Sequence, residues 1–447
     1  GHDALASRLT LARAAQSSID AQYYIWHDDT SGILLLTELQ RAAERGVRVR
    51  LLLDDNGVPG LDQTMATLNA LPDFEIRLFN PAAVRRPKLL GFAFDFLRMN
   101  RRMHNKSFIV DGSVVIVGGR NIGDEYFTTD AAFYLDMDVL ATGEIVPETA
   151  EMFDSYWNCA SSFGVETMIS GVGDPTAFAA LAEKVENSVA GRQLRIDLQD
   201  SASRFLARDG LSGSLEWTTV QLIADHPAKG QGIARPDQIM VTRLRTILGA
   251  VEHRLDIASA YFVPGLRGTR LFAGLQKRGV DVRILTNALD TTDVLLVHAG
   301  YAKYRRALLK AGVTLYELRL RGGMQPGSEN QFNRIGLSGA SLHAKTFALD
   351  RTRIFIGSFN FDPRSALLNC EMGFLIDSPS MAQQIGAGYD GPVAEISYRP
   401  QIGTDGKMAW IEDRDGKSTL HPREPGSTLP QRLALKVIGR LPIEWLL

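Results

Sequence analysis

Two short stretches of this chain carry the residue types of phosphoryl chemistry at matching spacing. In "MHNKSFIVDGSVVIVGGRN", His104 is followed by Lys106, Asp111, a run of apolar residues ending in glycines, and Asn121. In "LHAKTFALDRTRIFIGSFN", His343, Lys345, Asp350 and Asn360 repeat the order. A strand period of two places each His and Lys on one face, and sends the Asp to the other. An imidazole beside an ammonium suits a phosphate: the ring attacks or donates a proton while the charge neutralises non-bridging oxygens. The two Asn side chains follow small-residue turns and offer further donors. Asp111 and Asp350 belong to the motif but are expected to fix backbone geometry through hydrogen bonds, not to move protons.

One copy supplies one histidine and one charge clamp. Phosphodiester exchange wants a nucleophile on one side of phosphorus and an acid on the other, so two halves facing one another give a physical reason for duplication. The reaction would be a double displacement through a phosphohistidine, with Lys106, Lys345 and the two Asn amides taking the electrostatic role of a metal. Neither a metal nor a cofactor is expected. A nucleophilic histidine also needs an acceptor on its other ring nitrogen. Candidates lie on the strand after each motif: Asp136 or Asp138 in "YLDMDVL", and Glu371 in "NCEMGFLID". Similar placement favours Asp136 for His104 and Glu371 for His343.

The elements that must position these groups repeat as well. Before the first motif, residues 4–16 read as an amphipathic helix, and the alternation of Ile19, Ala21, Tyr23 and Ile25 as a half-buried strand. A helix over 31–45, the strand "VRVRLLL", a helix near residue 65 and the strand "FEIRLF" follow. This βαβαβ order predicts a mixed, largely parallel sheet flanked by helices. After residue 238 the order returns: "QIMVTRLRTILGAVEH", "RLDIASAYFV", a helix, "GVDVRILTN" matching "GVRVRLLLD", a helix over 299–311, and "VTLYEL". The expected fold class is α/β with two pseudo-symmetric halves, residues 1–195 and 196–447, and the active site at the interface between halves. The tail predicts a hairpin around "DRDGK" and a terminal amphipathic helix.

Both copies match His-x-Lys-x4-Asp-x6-Gly-(Gly/Ser)-x-Asn at every position, and the chain resembles the phospholipase D superfamily, whose hallmark is this motif in duplicate. The segments "AQYYIWHDDTSG", "RMHNKSFIVDG", "VGGRNIGDEYF" and "VHAGYAKYRRALLKAGVTLYEL" resemble bacterial cardiolipin synthases. The resemblance implies His104 as nucleophile and His343 as the general acid that becomes the base. It also implies transfer of a phosphatidyl group from one phospholipid to a hydroxyl of phosphatidylglycerol, with phosphatidylethanolamine as a further candidate donor. Phospholipid hydrolysis shares the first half-reaction and is the alternative, ahead of nucleic-acid phosphodiester cleavage or plain lipid binding.

Composition agrees with a globular enzyme. Apolar residues are 45% and charged ones 22% of 447 residues, and a formal net charge of −2 gives no electrostatic case for a nucleic-acid partner. The two cysteines, Cys159 and Cys370, exclude a disulfide framework or thiolate zinc cluster and leave the redox compartment open. No apolar run reaches the ~18 residues of a membrane span. The resemblance implies the bacterial inner membrane as location, peripheral or anchored through a segment outside this chain; the opening Gly-His reads as a tag scar. Partner surfaces follow the same logic. Leu89, Phe92, Phe96, Met99 and Met103, spaced by three and four among Arg85, Arg86, Lys88, Arg98, Arg101 and Arg102, read either as an interfacial helix or as a core helix with a solvated rim. The terminal "LALKVIGRLPIEWLL" reads first as a docked helix. His298, Tyr301 and Arg305 share a helical face and are candidates for a head-group pocket, against the alternative of a structural histidine. His226, His253 and His421 are expected at the surface.

Overall fold

A computed structural model describes residues 1–82, 95–127, 133–171, 173–207, 215–319, 340–414 and 416–439. The chain forms two compact units that exchange short segments. The first comprises Gly1–Asp130, Asp138–Met240 and Leu368–Phe374; the second comprises Ala131–Met137, Val241–Leu367 and Leu375–Leu447. Residue 195, where the sequence suggests a division, lies inside the helix Val189–Ala207.

In the first unit the strands run in the order Asp138–Thr142, Val114–Gly118, Ser107–Val110, Ser18–Tyr23, Arg48–Asp54, Phe74–Phe79, Ser162–Gly164. Ser18–Tyr23, Arg48–Asp54 and Phe74–Phe79 pair in parallel, as expected of strands joined by the helices Thr30–Glu44 and Asp62–Asn69. The hairpin Ser107–Val110 and Val114–Gly118 that follows the first motif joins antiparallel to Ser18–Tyr23. The first helix, His2–Ala14, packs with Thr30–Glu44 and Val189–Ala207 over a core that includes Leu5, Leu9, Ile19, Ile33, Leu36, Val49 and Leu51. Each such side chain, fully buried, contributes ~1.5–3 kcal/mol of hydrophobic driving force.

The expectation of a half-buried first strand is corrected: Ser18–Tyr23 is covered on both faces, and Asp20 and Gln22 are buried with Ile19, Ala21 and Tyr23. The polar pair is tolerated because each has a partner. Asp20 accepts from Arg50 Nε and Nη2 at 2.6 and 2.8 Å, and Gln22 Nε2 donates to Ser107 Oγ at 3.1 Å.

In the second unit the sheet runs from Lys417–His421 through Met408–Arg414, Ser397–Ile402, Thr314–Leu318, Asp281–Asn287, Arg254–Ser259 and Lys345–Leu349 to Arg353–Gly357. Its central strands repeat the first unit: Arg254–Ser259, Asp281–Asn287 and Thr314–Leu318 are parallel, and the motif hairpin is antiparallel to Arg254–Ser259. Even the buried ion pair recurs, with Arg283 Nε 2.6 Å from Asp256 Oδ1. The tail hairpin pairs Met408–Arg414 with Lys417–His421, and the helix Leu429–Ile438 packs on Leu295–Lys310 through Leu435 against Leu289 and Ala299.

The apolar stripe near residue 90 is only partly described. Leu89, Phe92, Arg85, Arg86 and Lys88 lie outside the described residues. Beyond them Phe96–Met99 is a single short helix, with Met99 and Met103 buried.

Candidate functional site

In the first unit, His104 lies just ahead of the strand Ser107–Val110, with its side chain largely buried. Its Nδ1 is 2.8 Å from Glu371 Oε2, and Glu371 is fully buried. In the second unit, His343 lies between Ala340–Leu342 and Lys345–Leu349, and its Nδ1 is 2.5 Å from Asp136 Oδ2. Each pair is the reverse of the one expected from sequence. The carboxylate of each histidine comes from the exchanged segment, so Glu371 serves His104 and Asp136 serves His343. The exchange has a backbone cause. Met103 bridges in parallel to Cys370, with His104 N–H donating to the Cys370 carbonyl and Cys370 N–H to the Arg102 carbonyl, both at 2.8 Å. In the second unit Ala340–Leu342 pairs in parallel with Phe133–Leu135, and the N–H groups of His343 and Ala344 both donate to the Leu135 carbonyl. Asp138, the other candidate, ion-pairs instead with Arg8 at 3.0 Å.

A carboxylate on Nδ1 selects the tautomer that carries its proton there, and in the neutral ring this leaves the lone pair on Nε2. Lys106 Nζ donates to the His104 carbonyl at 2.7 Å and stands 5.5 Å from the Tyr24 ring centroid. Lys345 Nζ donates to the His343 carbonyl, lies 2.7 Å from His343 Nδ1, and is 3.9 Å from Asp136 Oδ2. An aromatic ring flanks each imidazole, Tyr24 at His104 and Tyr134 at His343, both with centroids 5.0 Å away. Asn121 Oδ1 accepts from Ile25 N–H at 3.2 Å, while its buried Nδ2 has no partner among the described residues. Asn360 Oδ1 accepts from Tyr261 N–H at 3.4 Å. In each amide the oxygen is held on backbone, which leaves Nδ2 as the donor end.

Asp111 and Asp350 occupy the tight turns of the two motif hairpins, at φ 52° and 51°. Asp111 accepts from the N–H groups of Gln16, Ser17 and Ser18, and Asp350 from those of Glu252, His253 and Arg254. Burial acts to raise both carboxyls, but these backbone donors outweigh it and hold them below the usual carboxylate value. Each Asp thus ties a motif hairpin to the start of the first parallel strand.

His298, Tyr301 and Arg305, candidates for a head-group pocket or for a structural role, meet in one cluster. All three are buried and bonded to protein carboxylates: His298 Nε2 to Glu424 at 2.8 Å, Tyr301 OH to Glu317 at 2.9 Å, and Arg305 Nη1 to both at 2.7 Å. Trp410 Nε1 completes the cluster by donating to Glu317. Burial opposes ionisation of Glu424, yet Arg305 and His298 hold its carboxyl down at about 2. The cluster joins the helix Leu295–Lys310 to the sheet. His226 Nδ1 accepts from Ala228 N–H in its own turn, and His421 pairs with Glu412. His27, Asp29 and Glu125 bring three ligand-type atoms close together, but Asp29 caps the helix Thr30–Glu44 and holds Asp124 N–H, and His27 pairs with Glu125 at 3.2 Å. Both cysteines are free.

Sequence reasoning missed the residues that hold the motif backbones. Asp54, at the end of one parallel strand, accepts Met103 N–H at 2.9 Å and pairs with Arg102, whose Nε lies 2.8 Å away. Asn287, at the end of the matching strand, accepts Leu342 N–H through Oδ1 and donates to the Leu342 carbonyl through Nδ2, both at 2.9 Å. The signal was the last letter of "GVRVRLLLD" and "GVDVRILTN", where a polar residue ends an apolar strand at the same position.

The family described as "Cardiolipin synthase, PLD-like domain" matches residues 9–157 and 244–390. Cardiolipin synthase C of Escherichia coli (strain K12) is 42% identical over 455 aligned positions, covering 100% of this chain and 94% of the relative. A cardiolipin synthase of Staphylococcus aureus (strain N315) is 27% identical, covering 91% of this chain and 69% of the relative. Among solved structures, phosphatidylserine synthase of Haemophilus influenzae Rd KW20 shares the fold at a TM-score of 0.64 and 15% identity, over 99% of this chain and 93% of that one. No described helix is long and apolar enough to cross a membrane. With two complete motifs on two matching sheets and this full-length likeness, the chain belongs to the phospholipase D superfamily, as a phosphatidyltransferase of its cardiolipin synthase-like branch.

Proposed function

We propose that this enzyme forms cardiolipin from phosphatidylglycerol and a second phospholipid through a phosphatidyl-histidine on His104. Nε2 of His104 attacks the phosphorus of the donor lipid, the P–O bond to its head-group alcohol breaks, and His343 gives that alcohol its proton. The acceptor phosphatidylglycerol then loses a hydroxyl proton to His343 and attacks the same phosphorus, and the P–N bond to His104 breaks. Lys106, Lys345 and the amides of Asn121 and Asn360 neutralise and hold the non-bridging oxygens through both steps.

The observation that carries this reading is the pairing of each imidazole with a carboxylate from the exchanged segment, His104 with Glu371 and His343 with Asp136. A buried carboxylate raises the basicity of the imidazole and stabilises its cation, which serves both the attacking ring and the proton carrier. The exchange also makes the geometry of each histidine depend on both halves of the sequence. We place the reaction at the surface of the bacterial inner membrane.

The test is to incubate the protein with vesicles of phosphatidylglycerol, with and without phosphatidylethanolamine, and to follow the lipids by mass spectrometry. Cardiolipin is expected in both cases. Phosphatidic acid without cardiolipin would replace the transferase reading with a hydrolase, and an unchanged lipid pool would refute both.

A further inference from the structure

We infer that Asp225, paired with Lys229, is a positioning residue for His104, acting through the backbone of Glu371. In the first unit the Glu371 peptide is gripped at both ends by one residue. Glu371 N–H donates to Asp225 Oδ2, and the Glu371 carbonyl accepts from Asp225 N–H, each at 2.9 Å. Asp225 is itself fixed from three further directions: Lys229 Nζ reaches Oδ2 at 2.8 Å, Met240 N–H reaches Oδ1 at 2.7 Å, and the Tyr156 hydroxyl donates to its carbonyl at 2.7 Å. Asp225 and Lys229 are 2% exposed and Glu371 fully buried.

A charged pair at that depth is a poor source of stability, because the desolvation of both ions offsets their attraction. Burial pushes the Asp225 carboxyl up to about 6 even with Lys229 drawing it back. What the pair does supply is geometry. On its other side, the Glu371 segment is bonded through Cys370 to the backbones of Arg102 and His104. Three stretches, around residues 103, 370 and 225, therefore lie side by side, with the His104–Glu371 contact between the first two and the Asp225 clamp on the third. A small rotation of the Glu371 peptide moves its carboxylate away from Nδ1, and errors of that size at a reacting group cost up to ~100-fold in rate.

The kinetic part of this inference rests on the phosphatidyl-transfer reading, while the positioning part does not, and the experiment separates them. In the full chain, Asp225→Asn with Lys229→Met removes both charges together and leaves no buried ion unpaired. The low-field imidazole Nδ1 proton of His104, assigned by its loss in His104→Ala, should move upfield and exchange faster with water. The corresponding His343 signal should stay in place. Turnover on phosphatidylglycerol vesicles should fall about 10- to 100-fold in kcat, the usual effect of a residue orienting a ligand to the reacting group, with KM changed by less than about two-fold. A folded double variant with the His104 signal and kcat unchanged overturns the inference. A moved signal in a protein whose parent makes no cardiolipin leaves the positioning role standing and overturns the functional reading instead. Should the double variant lose cooperative unfolding, Tyr156→Phe removes only one hydroxyl from the clamp. It should move the His104 signal in the same direction by a smaller amount, and no movement overturns the inference.

Discussion

Asp54 and Asn287 end equivalent strands and hold equivalent peptides, those just before His104 and His343, yet one is an anion and the other an amide. The difference follows from donor count. An amide accepts and donates, so Asn287 satisfies both the N–H and the carbonyl of Leu342 alone. A carboxylate only accepts, and a buried one needs a countercharge, which Arg102 provides. At the position of Arg102 the second unit has Ser341, which hydrogen-bonds to the Thr291 carbonyl at 2.8 Å. Arg102 also does work that Ser341 cannot, donating from Nη1 to the Met99 and Asn80 carbonyls. The proposed nucleophile thus stands on charged supports, Asp54–Arg102 and Asp225–Lys229, and the proposed acid on a neutral amide. Duplication kept the hydrogen-bond geometry and let the charges diverge.

The largest effect should come from neutralising the two carboxylates one at a time. Glu371→Gln and Asp136→Asn are each expected to slow turnover by ~10²–10⁴-fold, within the range for general acid–base groups, but at different steps. Single-turnover measurements should show Glu371→Gln slowing formation of the lipid–enzyme adduct whatever the leaving group. Asp136→Asn should slow it only for natural head groups and spare a nitrophenyl ester, which needs no proton. The reverse assignment of defects would restore the pairing within each sequence half.

Next in size is stability. Arg102→Ser leaves the Asp54 carboxylate buried without its ion partner and should cost ~3–5 kcal/mol in chemical denaturation. Adding Asp54→Asn copies the second unit and should return more than half of that loss; a double variant no more stable than the single would break the comparison between units.

The turn aspartates give a smaller, pH-dependent effect, expected alike in both units. Asp111→Ala and Asp350→Ala each remove a carboxylate that caps three backbone N–H groups, a loss of about 1 kcal/mol at neutral pH. The sign follows from their lowered carboxyls. The folded state binds the proton less tightly than the unfolded chain, so the stabilisation is present above the ordinary value of 3.8 and is lost as pH falls through the folded value. Melting curves of parent and variant should therefore converge below about pH 3.8. Convergence on the alkaline side would contradict this account of the turns.

A last prediction, of similar size, concerns the residue after each aspartate. Gly112 and Arg351 both adopt left-handed backbone, at φ 58° and 57°, where only glycine is unstrained. Arg351→Gly should stabilise the second unit by ~1 kcal/mol, and Gly112→Arg should destabilise the first by a similar amount.

Much of this was legible in the sequence because it is local. The motif residues and the order of strands and helices in both halves follow from spacing along one segment, whereas Asp111 and Asp350, read as the far face of a strand, sit in the turns beyond it. The pairing of histidines with carboxylates was not legible. Asp136 and Glu371 stand at similar distances beyond their motifs, and spacing says nothing of which sheet a three-residue strand joins. Pairing of Phe133–Leu135 with Ala340–Leu342, and of Cys370 with Met103, decides it by contacts between residues more than 200 positions apart. The choice between the two readings of His298, Tyr301 and Arg305 was not legible for a related reason. Helical spacing shows that they share a face, but not that Glu317 and Glu424 meet that face. Asp225 was not legible because its partner Glu371 lies 146 positions away, and nothing local in "ADHPAKG" shows that the aspartate is buried.

The central claim is that His104 becomes covalently bonded to the phosphorus of the lipid. Phosphatidylglycerol labelled at phosphorus, mixed with excess enzyme, quenched in base within a turnover and mapped by peptide, reads it directly. The account predicts label on the peptide carrying His104, more of it in His343→Ala with a nitrophenyl leaving group, and none in His104→Ala. Label on the His343 peptide, or cardiolipin formed at the parent rate by His104→Ala, would contradict it.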